Sequence, residues 1–340
     1  MNILIVKLSA IGDVIHTLPS LAALRTLYPK AHITWVVEQA AADLVIKHPF
    51  LDEVIVSGRK RWGRKLAAGR INGARRDFRV FLARLRARRY DLVIDFHGLF
   101  KSAMVVALSG GQRKIGYDSL QEFSGLFYNE KIPEDMQKHA VDRYLDFPRH
   151  LGATIDKVEF VLPDDPLADS KALALLAEHG LDRRAFVAIN PVAYWKTKLW
   201  DNDKFAGLAD GIFEKLGLPV VFTGTEIEAI VPILRAMRTK GVNLAGRTTL
   251  LELAAVYRRA QTVVTTDSGP MHLAAAVGKK VVALFGPTDP DRTGPYGPGH
   301  TVIRSGLPCS PCLLKKCDSM QCMKEIMPEQ VLAAVGKHVR

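Results

Sequence analysis

The sequence predicts an α/β protein built from two doubly wound parallel-sheet domains in tandem. Short apolar runs of strand length alternate with helical periodicity along most of the chain, the pattern of parallel sheets covered by helices. The series pauses between residues 148 and 180, around P-D-D-P, and restarts at FVAIN (186–190). The 340 residues, 48% hydrophobic, suffice for two cores of ordinary size.

In the first domain (1–165), NILIVKL (2–8) reads as a buried strand. A helix follows from about Val14 to Leu27, ending before Pro29. HITWVVE (32–38) and EVIV (53–56) are strands, with a helical stretch around Ala40–Lys47 between them. DLVIDF (91–96) is a strand leading to a helix from about Leu99. Between Arg59 and Arg89 lie thirteen Lys/Arg residues and one acid, Asp77. Within that run Phe78, Phe81, Leu82 and Leu85 recur at helical spacing, so a basic amphipathic helix is expected, preceded by a loop.

The second domain (166–327) opens with a helix at about Pro166–His179. After the strand at 186–190 come a helix at 202–216, strand PVVFTG (219–224), a helix at 226–239 and short strand VNLAG (242–246). A helix at 249–259, strand TVVTTD (262–267), a helix at 269–277 and strand VVALFG (281–286) complete it. The chain ends in a helix at about 328–339, within a segment (328–340) expected to pack back on the first domain. In doubly wound folds ligands sit outside the carboxyl ends of the strands, so catalytic residues are sought just after strands, facing a cleft between the two domains.

Net charge is +12, which points to anionic partners: nucleic acid, a membrane surface or a phosphorylated substrate. No apolar run reaches the roughly 18 residues of a membrane span. The start, MNILIVKLSAIGD, has no basic region before a long apolar stretch and no cleavage site, so a cytosolic protein is expected. A nucleic-acid-binding protein is the rival in another class. It rests on charge alone, since no helix-turn-helix, RNP or finger pattern is found. A nucleotide-sugar epimerase is the enzymatic rival.

Four segments carry candidate chemistry. Asp13 follows the first strand, and Gly12 lets the backbone turn sharply. Asp13 reads either as a helix N-cap or as a general base; the G-x-G-x-x-G fingerprint is absent. In TTDSGPMHLAAAVGKKVVALFGPTDP (265–290), Asp267-Ser268-Gly269-Pro270 joins a strand to a helix. The free N–H groups of that helix suit a diphosphate, although Ser268 or Asp267 also reads as a simple cap. NPVAYWKTKLW (190–200) offers Lys196 and Lys198 after a strand, as surface residues or as partners of departing negative charge. TGTEIE (223–228) offers a carboxylate for ribose hydroxyls or an acidic first turn.

Together these residues resemble the ADP-heptose:lipopolysaccharide heptosyltransferases, glycosyltransferase family 9, over nearly the whole chain. The resemblance rests on KLSAIGDVIHTLP and on TTDSGPMHLAAAVGKKVVALFGPTDP. RKRWGRK (59–65), DFHGLFKSA (95–103) and FYNEK (127–131) are similar to the type I members, which add the first heptose to Kdo; type II members share the two main motifs. The resemblance implies a GT-B fold of two Rossmann-like domains, with the acceptor in the first and ADP-L-glycero-D-manno-heptose in the second. It implies Asp13 as catalytic base and Lys198 beside the donor phosphates. Glu228, with Glu226 nearby, would meet the ribose, and Thr197, Asp267, Ser268, Gly269, Met271 and His272 the rest of the donor. Type I members carry threonines upstream of the lysine where this chain has Ala193 and Tyr194.

For the acceptor, lipid A bearing Kdo, the expected contacts are Lys60, Arg61, Arg64, Lys65, His97 and Lys101. A monomer peripheral on the cytoplasmic face of the anionic inner membrane is expected, with no nucleic-acid partner. No D-x-D motif stands where a divalent metal would meet a diphosphate, and the resemblance implies that none is needed. Cys309, Cys312, Cys317 and Cys322 fall within fourteen residues. Their spacing fits structural zinc or an iron–sulfur cluster, or else four reduced thiols; a disulfide is not expected in the cytosol.

Overall fold

The computed structural model describes residues 1–119 and 121–339. The chain divides into two compact units, Met1–Asp164 and Asp165–Arg340. Among the described residues no helix is long and apolar enough to cross a membrane.

The first unit runs β1 (Asn2–Val6), α1 (Ile11–Leu27), β2 (His32–Glu38), β3 (Glu53–Ser57), α2 (Arg59–Ala67), α3 (Ile71–Leu85), β4 (Leu92–Asp95), α4 (Phe100–Ser109), β5 (Arg113–Tyr117), β6 (Glu130–Ile132) and α5 (Ala140–His150). Its six strands are all parallel, in the order β3-β2-β1-β4-β5-β6. The order reverses between β1 and β4, where Val6 lies opposite Asp95. Side chains alternate across a strand. Leu4, Val6, Val36 and Val93 share one core cluster with Phe81 and Leu85 of α3 and Val105 and Val106 of α4. Ile3 and Ile5 therefore face the opposite side, where α1 packs on α5.

The second unit runs α6 (Pro166–Ala177), β7 (Val187–Asn190), α7 (Asn202–Leu216), β8 (Val220–Phe222), α8 (Val231–Ala236), β9 (Gly241–Asn243), α9 (Leu250–Arg259), β10 (Thr262–Thr266), α10 (Gly269–Ala276), β11 (Val281–Leu284), α11 (Pro290–Thr293), β12 (Thr301–Ile303), α12 (Gln321–Lys324) and α13 (Pro328–His338). Its parallel sheet has the order β12-β11-β10-β7-β8-β9 and reverses between β7 and β10. Helix α7 stops at Gly217, whose φ of 67° is the left-handed cap that glycine takes without a Cβ clash.

Several elements differ from the sequence expectation. The loop expected before the basic helix is itself a helix, α2: Trp62 packs edge-on against Phe78 and Phe81 of α3, at 5.4 and 5.2 Å, and gives the short basic segment an apolar anchor. The stretch at Ala40–Lys47 is a 3-10 turn, Gln39–Leu44. Strands β5, β6 and β12 and helix α5 were not anticipated. RKIGY is too polar, and β6 and β12 at three residues each are too short, for a clear alternation; α5 carries Pro148 inside it. The helix expected at 226–239 is a 3-10 turn (Ile227–Ala229) followed by α8, because Pro232 has no N–H to continue an earlier helix but fits the start of a new one. The last helix packs on α7 and buries Val331, Ala334 and Val335 in the core of the second unit.

Candidate active site

At the β1/β4 reversal, Asp13 lies in the first turn of α1. One oxygen, Oδ2, accepts from the Ala10 N–H at 3.0 Å; Ala10 is the N-cap of α1 and Asp13 stands three residues in, so Asp13 is not the N-cap but bonds back to it. The other, Oδ1, lies 3.4 Å from the Tyr144 hydroxyl of α5. That hydroxyl in turn takes a 2.6 Å hydrogen bond from Lys7 Nζ, which also donates to the Phe96 carbonyl at 2.9 Å. Lys7 is 2% exposed, and burial pulls its pKa down to about 8 against the opposing pull of Asp13 and Asp95. Burial pushes Tyr144 well above the usual phenol range, so it stays a neutral bridge.

Asp95 closes β4. Its carboxylate accepts from Tyr128 Oη at 2.7 Å and from the His97 and Gly98 N–H groups at 2.8 and 3.3 Å, while burial raises its pKa. His97 follows. Its ring nitrogens are buried beside the Ser9 backbone. Burial, with Lys7, Lys101 and Arg59 nearby, pushes it down to about 2, so the ring is neutral. Lys101 reaches from α4 to the Ser9 hydroxyl at 2.9 Å, its pKa also lowered by burial. Thus Asp13, His97 and Lys101 are brought to one strand reversal.

The basic candidates on α2 divide. Lys60, Arg61 and Arg64 line a pocket of about 440 Å³ at the ends of β2 and β3, with buried Glu38 in its wall. Glu38 takes hydrogen bonds from Arg59 Nε and Nη2 at 3.0 and 2.9 Å and lies 3.8 Å from Lys60. Lys65 and Arg61 pair with Asp77 of α3 at 2.7 and 3.2 Å. The one acid of the basic run therefore ties its two helices together. Nearby cations, Lys65 foremost, lower the pKa of Asp77.

At the β7/β10 reversal, Lys198 Nζ lies 2.5 Å from Asp267 Oδ2, which also accepts from Thr288 Oγ1 at 2.6 Å. Trp195 lies under the lysine, 4.6 Å from ring centroid to Nζ. Ser268 occupies the cap position of α10, yet its side chain does not cap the helix. Its hydroxyl lies 3.2 Å from Asn190 Nδ2 and 3.3 Å from the Thr266 carbonyl. Pro270 has no N–H and the Met271 N–H donates to the Ser268 carbonyl at 3.1 Å, so at the start of α10 it is the Gly269 N–H that is placed to meet an anion. Met271 and His272 are buried one turn in. Thr197 donates to the Leu314 carbonyl at 2.9 Å, and Tyr194 is fully exposed. Glu226 and Glu228 are exposed beyond β8, beside the 3-10 turn.

The four cysteines are not assembled as the expected zinc or iron–sulfur centre. Among the described residues no three or more His, Cys, Asp or Glu side chains form a group able to hold a metal. Cys309 and Cys317 are exposed and Cys312 is half-buried, while Cys322 is drawn into the core with Met323 by α12.

Sequence reasoning missed Lys7, Tyr144, Glu38, Asn190 and Thr288. Lys7 carried a signal, a charge at the end of an otherwise apolar strand. Tyr144 carried none once α5 was unseen.

Two doubly wound parallel-sheet units in tandem are the architecture of GT-B glycosyltransferases. The chain matches glycosyltransferase family 9 (heptosyltransferase) over residues 78–324 and belongs to that family. It is 32% identical to lipopolysaccharide heptosyltransferase 1 of Pseudomonas aeruginosa, over 93% of this chain and 87% of the relative. The fold superposes on Escherichia coli heptosyltransferase WaaC with ADP at a TM-score of 0.80, with 27% identity, covering 99% of this chain and 100% of that one. With ADP-2-deoxy-2-fluoro heptose the same enzyme gives 0.78, with 26% identity and 99% of both chains covered.

Proposed function

We propose that this chain is a heptosyltransferase I, moving heptose from ADP-L-glycero-D-manno-heptose to Kdo of the lipopolysaccharide inner core with inversion. The observation that carries this reading is its 32% identity to a lipopolysaccharide heptosyltransferase 1 across 93% of the chain.

A Kdo hydroxyl oxygen forms the new bond to the anomeric carbon as the bond to ADP breaks, and Asp13 takes the hydroxyl proton. Tyr144, itself hydrogen-bonded by Lys7, orients Asp13 Oδ1. Lys198 and the start of α10 stabilise the departing ADP. Glu228 or Glu226 binds the ribose, and Met271 and His272 back the donor loop. Lys60, Arg61, Arg64 and Lys65 meet phosphates and carboxylates of Kdo-lipid A, and His97 and Lys101 complete the acceptor site. The protein works as a monomer, peripheral on the anionic cytoplasmic face of the inner membrane.

The test is ADP release from ADP-heptose, with and without Kdo-bearing lipid A. Acceptor-dependent release is expected. If acceptor already carrying the first heptose is used and bare Kdo-lipid A is not, the type I reading falls and type II replaces it.

A further inference from the structure

We propose that the first unit carries a membrane-inserting edge, formed by the turn at Gln121–Phe127 and the start of α4, that docks on an anionic lipid surface beside the acceptor pocket. The inference rests on the lipid-linked acceptor proposed above. Its basis is apolar exposure in the wrong place for a solvated surface. Phe123 and Leu126 are 71% and 73% exposed, and Phe100 and Met104 of α4 are 49% and 36% exposed. Isolated exposed apolar side chains need no explanation, but four on adjoining elements form a patch of the kind that marks a contact surface.

The turn is held rigidly against α4. Phe100 N–H donates to Glu122 Oε2 at 3.1 Å, the buried Ser124 hydroxyl donates to the Gly98 carbonyl at 3.0 Å, and the Phe100 and Phe127 rings lie 6.2 Å apart. Within it Glu122 and Phe123 both take left-handed backbone, at φ of 50° and 59°. Residues with a Cβ avoid that region, and two in succession are costly. Anchored behind by Ser124 and Phe127, this backbone leaves Phe123 and Leu126 in solvent.

Charge identifies the occupant. Helix α3 packs on α4, and Arg86 Nε at the end of α3 donates to the Leu108 carbonyl near the end of α4. The starts of both helices therefore lie together, at the carboxyl edge of the sheet where α2 lines the acceptor pocket. Of the basic run, the residues of α2 and its turn into α3, Arg59, Lys60, Arg61, Arg64, Lys65 and Arg70, lie on the patch side, and among them Leu66 and Ile71 are themselves more than half exposed. Apolar side chains within a basic collar are the composition of an interfacial membrane contact: the collar meets anionic headgroups and the apolar tips enter the acyl boundary.

The experiment uses the full chain and vesicles of phosphatidylcholine, alone or mixed with phosphatidylglycerol, none containing Kdo. Wild type should co-sediment with the anionic vesicles. The double variant Phe123→Ser/Leu126→Ser should bind them about tenfold more weakly, as expected for two apolar side chains withdrawn from lipid. Phe123→Tyr should retain binding. Thermal midpoint, and turnover on a water-soluble Kdo acceptor lacking acyl chains, should be unchanged in all variants. Equal binding by the double variant, or no binding by wild type, overturns the proposal. So does a wild-type dimer that the double variant loses in sedimentation velocity, since the patch would then join two copies. Because the vesicles carry no acceptor, failure of heptosyl transfer leaves this result standing, and the reverse holds.

Discussion

The β1/β4 and β7/β10 reversals stand at the same point of the same strand order but are built on opposite electrostatic plans. In the first unit the cation is deeply buried and is linked to the carboxylate through a phenol. In the second the cation and carboxylate close directly on each other at 2.5 Å. In the first arrangement Asp13 Oδ1 meets the phenol only at 3.4 Å, which leaves it able to take a further hydrogen bond. The second is satisfied before any ligand arrives, so Lys198 is held in one geometry and the fresh attraction for a diphosphate falls more heavily on the helix start.

The largest effect that would break this contrast is on turnover. Asp13→Asn should lower kcat by about 10²–10⁴, the usual contribution of a general base, with donor binding retained. Near-normal turnover with intact binding would remove Asp13 from the chemistry and leave it only its bond back to the N-cap of α1.

Next in size is the closed pair. Asp267→Asn leaves Lys198 without its charge partner and should destabilise the second unit by about 3 kcal/mol, the cost of breaking a buried pair from one side. An unfolding midpoint matching wild type would show the pair to be solvated, and the contrast with the first unit would dissolve.

The smallest effect sharpens the first plan. Tyr144→Phe removes the bridge and should cost about 1 kcal/mol of stability. The pH dependence carries more information. Lys7 titrates near 8 in the folded chain against 10.5 for a free lysine, because its charge is buried. Between those values the unfolded chain holds more protons, so stability rises with pH across that window. Below it both states are protonated, and the burial penalty on the charged lysine is present in full. Lys7→Met should lack the rise, and denaturation curves that track wild type from pH 8 to 10 would mean that Lys7 is not buried as a charge.

The strand–turn–helix positions of Asp13, Lys198 and Asp267 were legible in the sequence, because parallel strands are apolar runs and their ligand-facing ends are the residues that follow. Helix α7 was legible to the residue, since its amphipathic period is long and a glycine ends it. Strands β5 and β6 and helix α5 were not: three- to five-residue polar strands make no period, and Pro148 disguises the helix. With α5 went Tyr144, and with Tyr144 the link between Lys7 and Asp13. The cysteine spacing invited a metal, but ligand spacing is a one-dimensional quantity, and among the described residues no three His, Cys, Asp or Glu side chains are grouped to hold one.

Local periodicity, turn chemistry and charge thus determined the fold class, the strand-end chemistry and the basic character of 59–89. These depend on neighbours within a few residues along the chain. The tertiary structure alone decided which lysine is neutralised and which is buried behind a phenol, where the last helix packs, and that Phe100 and Phe123 come to share one exposed edge. Those outcomes depend on groups up to 137 positions apart in sequence meeting in a medium of low dielectric, where pairing and desolvation set each group's charge.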